Sequence, residues 1–243
     1  MLFFSKKTVL KDLIPVNHID FHSHLLFGID DGAKTFDDTL GLVKSLMGFG
    51  ITKFITTPHV MRHVWENTSD IIIDRQNVVN ELLRENNIDI EIKAAAEYLM
   101  DDHFVELFKT QSLLTLKDNY VLVEMSYLNP PIQLYDIIFD LQLAGYKPVL
   151  AHPERYNFYH NNFNEYHKLK KAGCLFQLNL LSVVGYYGES VTKTAQKLLS
   201  LGMIDFASSD THHNKHIAAF DQKILFKDVT SLQKAIEDSA FFK

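Results

Sequence analysis

The sequence predicts an α/β domain: a small or distorted barrel of parallel strands with helices outside. Three observations lead there. Short β-rich runs alternate with amphipathic stretches of helical spacing. About seven such units fit into 243 residues. Residues able to do chemistry recur where the runs end, and parallel sheets keep their chemistry at the carboxyl ends of strands. An open doubly wound sheet is the structural alternative and would put those residues in the same place.

Taken in order, the β-rich runs cover residues 18–21, 53–56, 88–94, 120–123, 148–150, 175–178 and 204–207. Between them, Leu40, Val43, Leu46 and Met47 form one apolar helical stripe. Ile72, Val79, Leu82 and Leu83 form a second, and Ile137, Ile138, Leu141 and Leu143 a third. Gly50, Gly145, Gly173 and Gly202 each follow a helical stretch and precede a strand, where a left-handed helix stop belongs. No linker or repeat divides the chain, so residues 18–243 read as one domain after an arm of residues 1–17. That arm is either flexible or a docking segment for a partner. Beyond Phe220 the pattern reads as a strand and a helix carrying Leu232, Ala235, Ile236 and Phe241.

Composition narrows the function. Hydrophobic residues make up 47% and charged residues 22%, which excludes a disordered or fibrous chain. The net charge of -6 argues against a nucleic-acid binder, which needs a positive field. No apolar run is long enough to cross a bilayer, and Leu2-Phe3-Phe4 is too short for a signal-peptide core. A single cysteine excludes a disulfide framework and points to the cytoplasm. Histidine, at 12 residues, is conspicuously frequent.

The strand tips hold most of those histidines. The first run ends in Asp20-Phe21-His22-Ser23-His24, followed by Gly28-Ile29-Asp30-Asp31-Gly32. The others end in Thr57-Pro58-His59, Ala96-Glu97-Tyr98, Glu124-Met125-Ser126, Ala151-His152-Pro153-Glu154-Arg155, Gln177-Leu178-Asn179 and Ser208-Ser209-Asp210-Thr211-His212. Six of the seven tips therefore carry His, Asp or Glu. One such histidine would read as a satisfied core residue. Six tips bearing these residues on one face are hard to explain by packing, because such groups are rarely buried unpaired. His22 and His24 are i and i+2 in a strand and share a face. Asp210 and His212 repeat that spacing on the last strand. Glu97 has two oxygens and can bridge two ions. Mixed imidazole and carboxylate donors suit zinc, manganese or iron, and the absence of thiolate argues against structural zinc.

A cluster of divalent ions generates hydroxide at neutral pH and clamps the oxygens of a group undergoing in-line displacement. Phosphoester hydrolysis needs both. Arg155, three residues beyond His152, can hold phosphate oxygens with its guanidinium, or it can pair with Glu154 on the surface. Other hydrolytic signatures are missing. Cys174 lacks the arginine of a cysteine-phosphatase loop and reads as core. Gly48-Phe49-Gly50 is a helix end, and there is neither a Walker A sequence nor a nucleophile elbow.

Together, Asp20-Phe21-His22-Ser23-His24, Asp30-Asp31-Gly32, Thr57-Pro58-His59, Glu97, His152-Pro153-Glu154-Arg155 and Ser209-Asp210-Thr211-His212 resemble the polymerase and histidinol phosphatase (PHP) superfamily. Within it they are most similar to the bacterial protein-tyrosine phosphatases of capsular and exopolysaccharide operons. The resemblance implies a distorted (β/α)7 TIM-like barrel with three divalent ions, manganese first, with zinc, iron or magnesium as alternatives. It implies that His22, His24, Glu97 and Asp210 hold the first ion, Glu97, Glu124 and His152 the second, and Asp31, His59 and His212 the third. Glu124 can instead orient a neighbouring ligand. Arg155 would bind phosphate and, with Asp210 and His212, form the catalytic group. Related phosphatases often carry a second arginine after the last histidine ligand; here Lys215 or His216 stands in its place. The implied partner is the phosphotyrosine tail of a membrane-associated tyrosine kinase, and no nucleic acid. The implied reaction is direct hydrolysis by a metal-activated hydroxide, with no phosphoenzyme and the phenolate leaving largely unaided. His213 or His216 are candidates to protonate it. Tyr98, Tyr127, Tyr186, Tyr187 and Trp65 are candidates to flank the ring, with ordinary rim packing as the other reading. A phosphoesterase for a small metabolite such as histidinol phosphate is the alternative, and a non-catalytic binding protein a more distant one. The oligomeric state stays open.

Overall fold

The computed structural model describes residues 8–243. Its strands are β1 (His18–Asp20), β2 (Ile51–Thr56), β3 (His59–Val60), β4 (Ile92–Ala94), β5 (Glu97–Leu99), β6 (Tyr120–Glu124), β7 (Lys147–Ala151), β8 (Leu175–Asn179) and β9 (Phe206–Ser208). The helices are α1 (Phe36–Gly48), α2 (Ser69–Glu85), α3 (Asp102–Thr110), α4 (Leu134–Leu143), α5 (Asn164–Lys171), α6 (Glu189–Ser200), α7 (Asn214–Ala219) and α8 (Thr230–Asp238). Every strand pairing between them is parallel.

Seven strand positions form the ring, as the alternation predicts. Two of them are jogged. β2 breaks at Thr57-Pro58 and resumes as β3, and β4 breaks at Ala95-Ala96 and resumes as β5. The pairing therefore divides into β1-β2-β4 and β3-β5-β6-β7-β8-β9. Backbone bonds join the two sheets at the carboxyl end. Ala95 and Glu97 donate to Thr56 and Pro58, and Thr57 donates to Ser23. On the other side Asp210 donates to His22 at 2.7 Å and His24 to Thr211 at 2.9 Å. The buried Asp20 carboxylate adds a staple between the first and last strands, accepting from the hydroxyls of Ser208 and Ser209 and from the Ser209 N–H. Hydrogen bonds and one parallel bridge, Ser23 to Thr211, thus link the first and last strands where the tips converge.

Helix starts are written locally. Thr35 forms a capping box with Asp38, and Thr68 and Asp101 cap α2 and α3 through their side chains. The four glycines read as helix stops all take positive φ. At Gly50 φ is +101° and an added Cβ would stand 3.0 Å from the Pro15 carbonyl oxygen, which is backbone and cannot swing aside.

Several boundaries differ from expectation. The run at 88–94 yields a strand only from Ile92, because Ile88 bonds back to Leu83 in the turn after α2. Both backbone groups of Ile92 are held by the Asn80 amide. The run at 204–207 becomes Phe206–Ser208, since the Asp205 side chain takes the Phe176 N–H and pairs with Lys170. Leu143, read as core, is 71% exposed. No strand forms beyond Phe220 among the described residues; a single antiparallel bridge joins Lys223 to Val9. Helix α8 forms with Leu232, Ala235 and Ile236 buried, but the anchor at the chain end is Phe242, its ring centre 4.4 Å from that of Phe21, while Phe241 is exposed. The arm is packed from Thr8 onward. Leu10 is buried, and backbone bonds tie residues 8–11 to Phe220, Gln222 and Ile224. Residues 1–7 lie outside the described residues.

Candidate metal centre

The structure brings all nine candidate ligands to the carboxyl end of the ring, within one pocket. Four overlapping groups have donor atoms close enough to share an ion: His22, Glu97 and His152; His22, His24 and Asp210; His59, Glu97 and Glu124; and His24, Asp31, His59 and His212. Glu97 is the hub. Its Oε2 lies 3.2 Å from both His22 Nε2 and His59 Nδ1 and 3.5 Å from His24 Nε2. Its Oε1 lies 3.1 Å from His152 Nε2. Asp210 Oδ1 stands 3.3 Å from the Nε2 atoms of His22 and His24. Asp31 Oδ1 is 3.4 Å from the Nε2 atoms of His59 and His212. Glu124 Oε1 is 2.9 Å from His59 Nδ1, so His59 reaches toward two of the groups.

These residues fit a set of cations. Two donors each ~2.1 Å from a shared ion stand roughly 3–3.5 Å apart, the spacing seen throughout the pocket. His22 Nε2, His24 Nε2, His59 Nδ1, Glu97 Oε2 and Glu124 Oε1 are buried without a hydrogen-bond partner. Leaving that many polar atoms unmatched in a core costs too much unless something else satisfies them. The other ring nitrogens are already committed. His22 Nδ1–H donates to Gln177 Oε1 at 2.8 Å, His24 Nδ1–H to Asp30 Oδ2 at 2.7 Å, and His212 Nδ1–H to the Asp210 carbonyl at 2.9 Å. Each bond fixes a tautomer that turns the Nε2 lone pair into the pocket.

Charge follows geometry. Burial opposes ionisation of Asp210, but His22, His212 and His24 hold it well below the usual carboxylate range. Burial likewise opposes a charged His59, yet Glu124 and Glu97 raise it to about 9. Unmetallated, the pocket balances its carboxylates with protons on imidazole, and cations would take over that task.

Two tips adopt left-handed backbone at non-glycine residues: His152 at φ 35° and Asp210 at φ 50°. Such conformations are uncommon and gather at functional sites. The Asp30-Asp31-Gly32 turn lies flat on the first tip. Gly32 donates to Asp30 Oδ1 at 2.9 Å, and a Cβ there would fall 2.2 Å from the His24 carbonyl oxygen. Glycine is needed for that approach, which carries Asp31 over the pocket.

Arg155 sits at the mouth, 18% exposed, with Nη1 donating to Asp210 Oδ2 at 2.7 Å. Its guanidinium lies 4.9 Å from the Tyr127 ring and 4.2 Å from the Tyr187 ring. The surface pair with Glu154 does not form. Glu154 is buried, its Oε1 accepting from the Asn179 N–H and the Ser182 hydroxyl.

The proposed stand-ins for a second arginine fare unequally. Lys215 is exposed. His216 is buried, and its Nδ1 accepts from the His212 N–H at 3.1 Å. Burial pushes its pKa down to about 3, so it holds the His212 backbone as a neutral ring and supplies no positive charge. Tyr98 is not at the rim either. It is buried against Phe104, and its hydroxyl accepts from Leu114 N–H. Gln177 and Asn179 carry no expected role in the sequence, yet both reach the site. They occupy the tip of β8 at the same i, i+2 spacing as His22 and His24, which was the available signal. Asn179 Nδ2 donates to Asp210 Oδ2 at 2.8 Å and to the Tyr187 hydroxyl at 3.0 Å.

A parallel ring with a buried imidazole–carboxylate cluster at its carboxyl mouth defines a metal-dependent hydrolase of the TIM-like kind. Residues 18–223 match the family model for capsular polysaccharide synthesis, CpsB/CapC, and the chain belongs to that family. It is 28% identical over 209 residues to the tyrosine-protein phosphatase YwqE of Bacillus subtilis, covering 86% of this chain and 82% of that protein. It is 28% identical over 201 residues to the tyrosine-protein phosphatase CpsB of Streptococcus pneumoniae, covering 80% and 83%. A crystal structure from a study of YwqE and CpsB, described as unique metal-dependent tyrosine phosphatases, superposes with a TM-score of 0.77 at 26% identity, covering 93% of this chain and 88% of that one. The histidinol phosphate phosphatase of Lactococcus lactis shares the fold, with a TM-score of 0.52 at 14% identity over 94% of each chain.

Proposed function

We propose that this chain is a metal-dependent protein-tyrosine phosphatase, a phosphoric monoester hydrolase acting on phosphotyrosyl polypeptides. The observation that carries the reading is the convergence of nine ligand-type side chains beside Arg155. The relatives named tyrosine-protein phosphatases support the substrate class.

In this reading His22, His24, Glu97 and Asp210 hold one ion, Glu97, Glu124 and His152 a second, and Asp31, His59 and His212 a third, with manganese the favoured metal. When bound, such ions activate water at neutral pH and neutralise phosphate oxygens. The rest falls to the chain. Arg155 takes the non-bridging oxygens, and Asp210, Tyr127 and Tyr187 hold its guanidinium in one plane. Gln177 and Asp30 keep His22 and His24 in the required tautomers. Lys215 adds an exposed positive charge at the rim. The phenolate leaving group, with a conjugate-acid pKa near ~10, departs without a strong general acid.

The partner is the phosphorylated tail of a membrane-associated tyrosine kinase that governs capsule or exopolysaccharide assembly, met in the cytoplasm. Membership of a capsular polysaccharide synthesis family supports this. No described helix is long and apolar enough to cross a membrane. A side-by-side assay tests the activity. A phosphotyrosyl peptide should be hydrolysed faster than histidinol phosphate, with the rate lost on chelation and restored by manganese. No turnover of any aryl phosphate with manganese, zinc or iron supplied would refute the reading.

A further inference from the structure

Helix α4 and the segment before it show solvent an apolar surface they should not need to show. Leu128 is 86% exposed, Ile132 102%, Tyr135 40%, Phe139 59% and Leu143 71%. Tyr135, Phe139 and Leu143 follow at i, i+4 and i+8 and form one strip along the helix, and Ile132 lies in the turn that leads into it. Isolated exposed apolar residues are ordinary, but a continuous row marks a surface that meets something.

The segment that leads into the strip starts at the candidate metal centre. Tyr127, immediately before Leu128, has its ring 4.9 Å from the Arg155 guanidinium and its hydroxyl 3.4 Å from His152 Nε2. Beside it lies a cleft of about 410 Å³ lined by Leu99, Met100, Ile132 and Ile137, with Ser126 and Asp101 at its edge. Leu99 and Ser126 stand two residues beyond Glu97 and Glu124. The cleft therefore borders the ligand-bearing tips of β5 and β6, and Ile132 joins it to the α4 strip.

Charge argues against a second copy as the occupant. Helix α4 carries Asp136 and Asp140 and no lysine or arginine. Asp140 pairs with Lys109 on α3, while exposed Asp136 has no ion-pair partner among the described residues. Pairing two such helices about a twofold axis would bring acids toward acids.

We propose that the cleft and the α4 strip bind the polypeptide on one side of the phosphotyrosine, accepting aliphatic or aromatic side chains. The inference rests on the phosphatase reading and deepens it: Arg155 and the metal ligands take the phosphate, and this surface selects a polypeptide over a small phosphate ester. Apolar anchors filling such a surface carry most of the energy of peptide recognition.

The test compares three substrates on the metal-loaded full chain: p-nitrophenyl phosphate, a phosphotyrosyl peptide flanked by leucines, and the same peptide flanked by glycines. The leucine peptide should be preferred by about tenfold in kcat/KM, mainly through KM. The double variant Ile132→Ser, Phe139→Ser should erase that preference and leave p-nitrophenyl phosphate kinetics unchanged, which also shows that the variant is folded. Equal use of both peptides by the unaltered chain, or a preference that survives the double variant, overturns the proposal. So does a dimer in sedimentation that the double variant dissociates, because a second copy would then own the strip. If p-nitrophenyl phosphate itself is not hydrolysed, the phosphatase reading fails first and the inference with it.

Discussion

Arg155 and Asp210 share one carboxylate between two tasks. Oδ2 of Asp210 accepts from Arg155 Nη1 at 2.7 Å, while Oδ1 faces the free nitrogens of His22 and His24 at 3.3 Å. The group that would hold an ion therefore also aims the guanidinium. Replacing Arg155 should separate the two tasks. Arg155→Ala should keep the metal content and lower kcat/KM for an aryl phosphate by about 100-fold, as when a positioned transition-state donor is removed. Arg155→Lys should recover only part of the loss, because an ammonium lacks the planar fork. Metal analysis beside steady-state kinetics checks both. Unchanged kinetics in the alanine variant would remove Arg155 from the site.

Glu97 should be the least replaceable ligand. It faces four histidines, with one oxygen toward three of them and the other toward His152. Glu97→Gln keeps the shape and removes the charge. It should cost most of the bound metal and reduce turnover to background. Ions that bind only the folded state raise its melting temperature. Manganese should therefore raise Tm in the unaltered chain and do much less in Glu97→Gln. A variant that retains both its full metal content and its rate would show that the hub lies elsewhere.

These residues also mark how far the sequence alone reaches. His22 and His24 were legible because strand geometry puts i and i+2 on one face, and Asp210 and His212 repeat the pattern. Glu97 and Glu124 were legible because they end β-rich runs. The partners that aim them were less so. Gln177 lies 155 positions from His22, and nothing local signals that its amide fixes an imidazole tautomer. His216 looked like a cation because its type permits one, and burial decided otherwise. The jogs at Thr57-Pro58 and Ala95-Ala96 escaped for a related reason. Strand propensity reads a run as continuous, whereas the break depends on the ring's curvature. Leu143 fits the periodicity of a buried stripe, but burial depends on what packs against a helix, and none of the described residues covers that side; Phe241 is covered on one face only, by Tyr120 and Phe206.

Gly32 tests whether the turn over the first tip is a working part. An added Cβ would lie 2.2 Å from the His24 carbonyl oxygen and 2.4 Å from the His24 Cβ, so the turn must lift. Overpacking of this kind costs about 1–3 kcal/mol. Lifting the turn also withdraws Asp31 from His59 and His212, and Asp30 from His24. Gly32→Ala should therefore lose bound metal as well as stability. Gly41→Ala is the control. It lies in α1 with nothing within 4 Å of the new methyl, and should be neutral or stabilising. Melting temperature and metal stoichiometry, measured on both variants, decide the matter. A Gly32→Ala chain with a full metal complement would mean that Asp31 is not needed to retain it.

Glu154 gives the fold a pH dependence whose sign can be worked out. It is fully buried, and burial raises its pKa to about 7 against the pull of Ser182, the Asn179 N–H and Arg155. In the unfolded chain it titrates near ~4.3. The folded state therefore binds its proton more tightly, and this contribution is fully present below pH ~4.3. It declines as pH rises through about 7, after which the carboxylate is buried as an anion. The span corresponds to at most roughly 3 kcal/mol between mildly acidic and mildly alkaline solution. Glu154→Gln keeps an acceptor for Ser182 and Asn179 and removes the titration. The variant should gain stability relative to the unaltered chain as pH rises from 5 to 8, and the gain should level off above 8. Urea unfolding at several pH values, with metal removed so that ligand protonation is the same background in both chains, measures the difference directly. A stability difference that stays flat across that range would place the proton elsewhere and leave Glu154 a simple anchor between the β7 tip and β8.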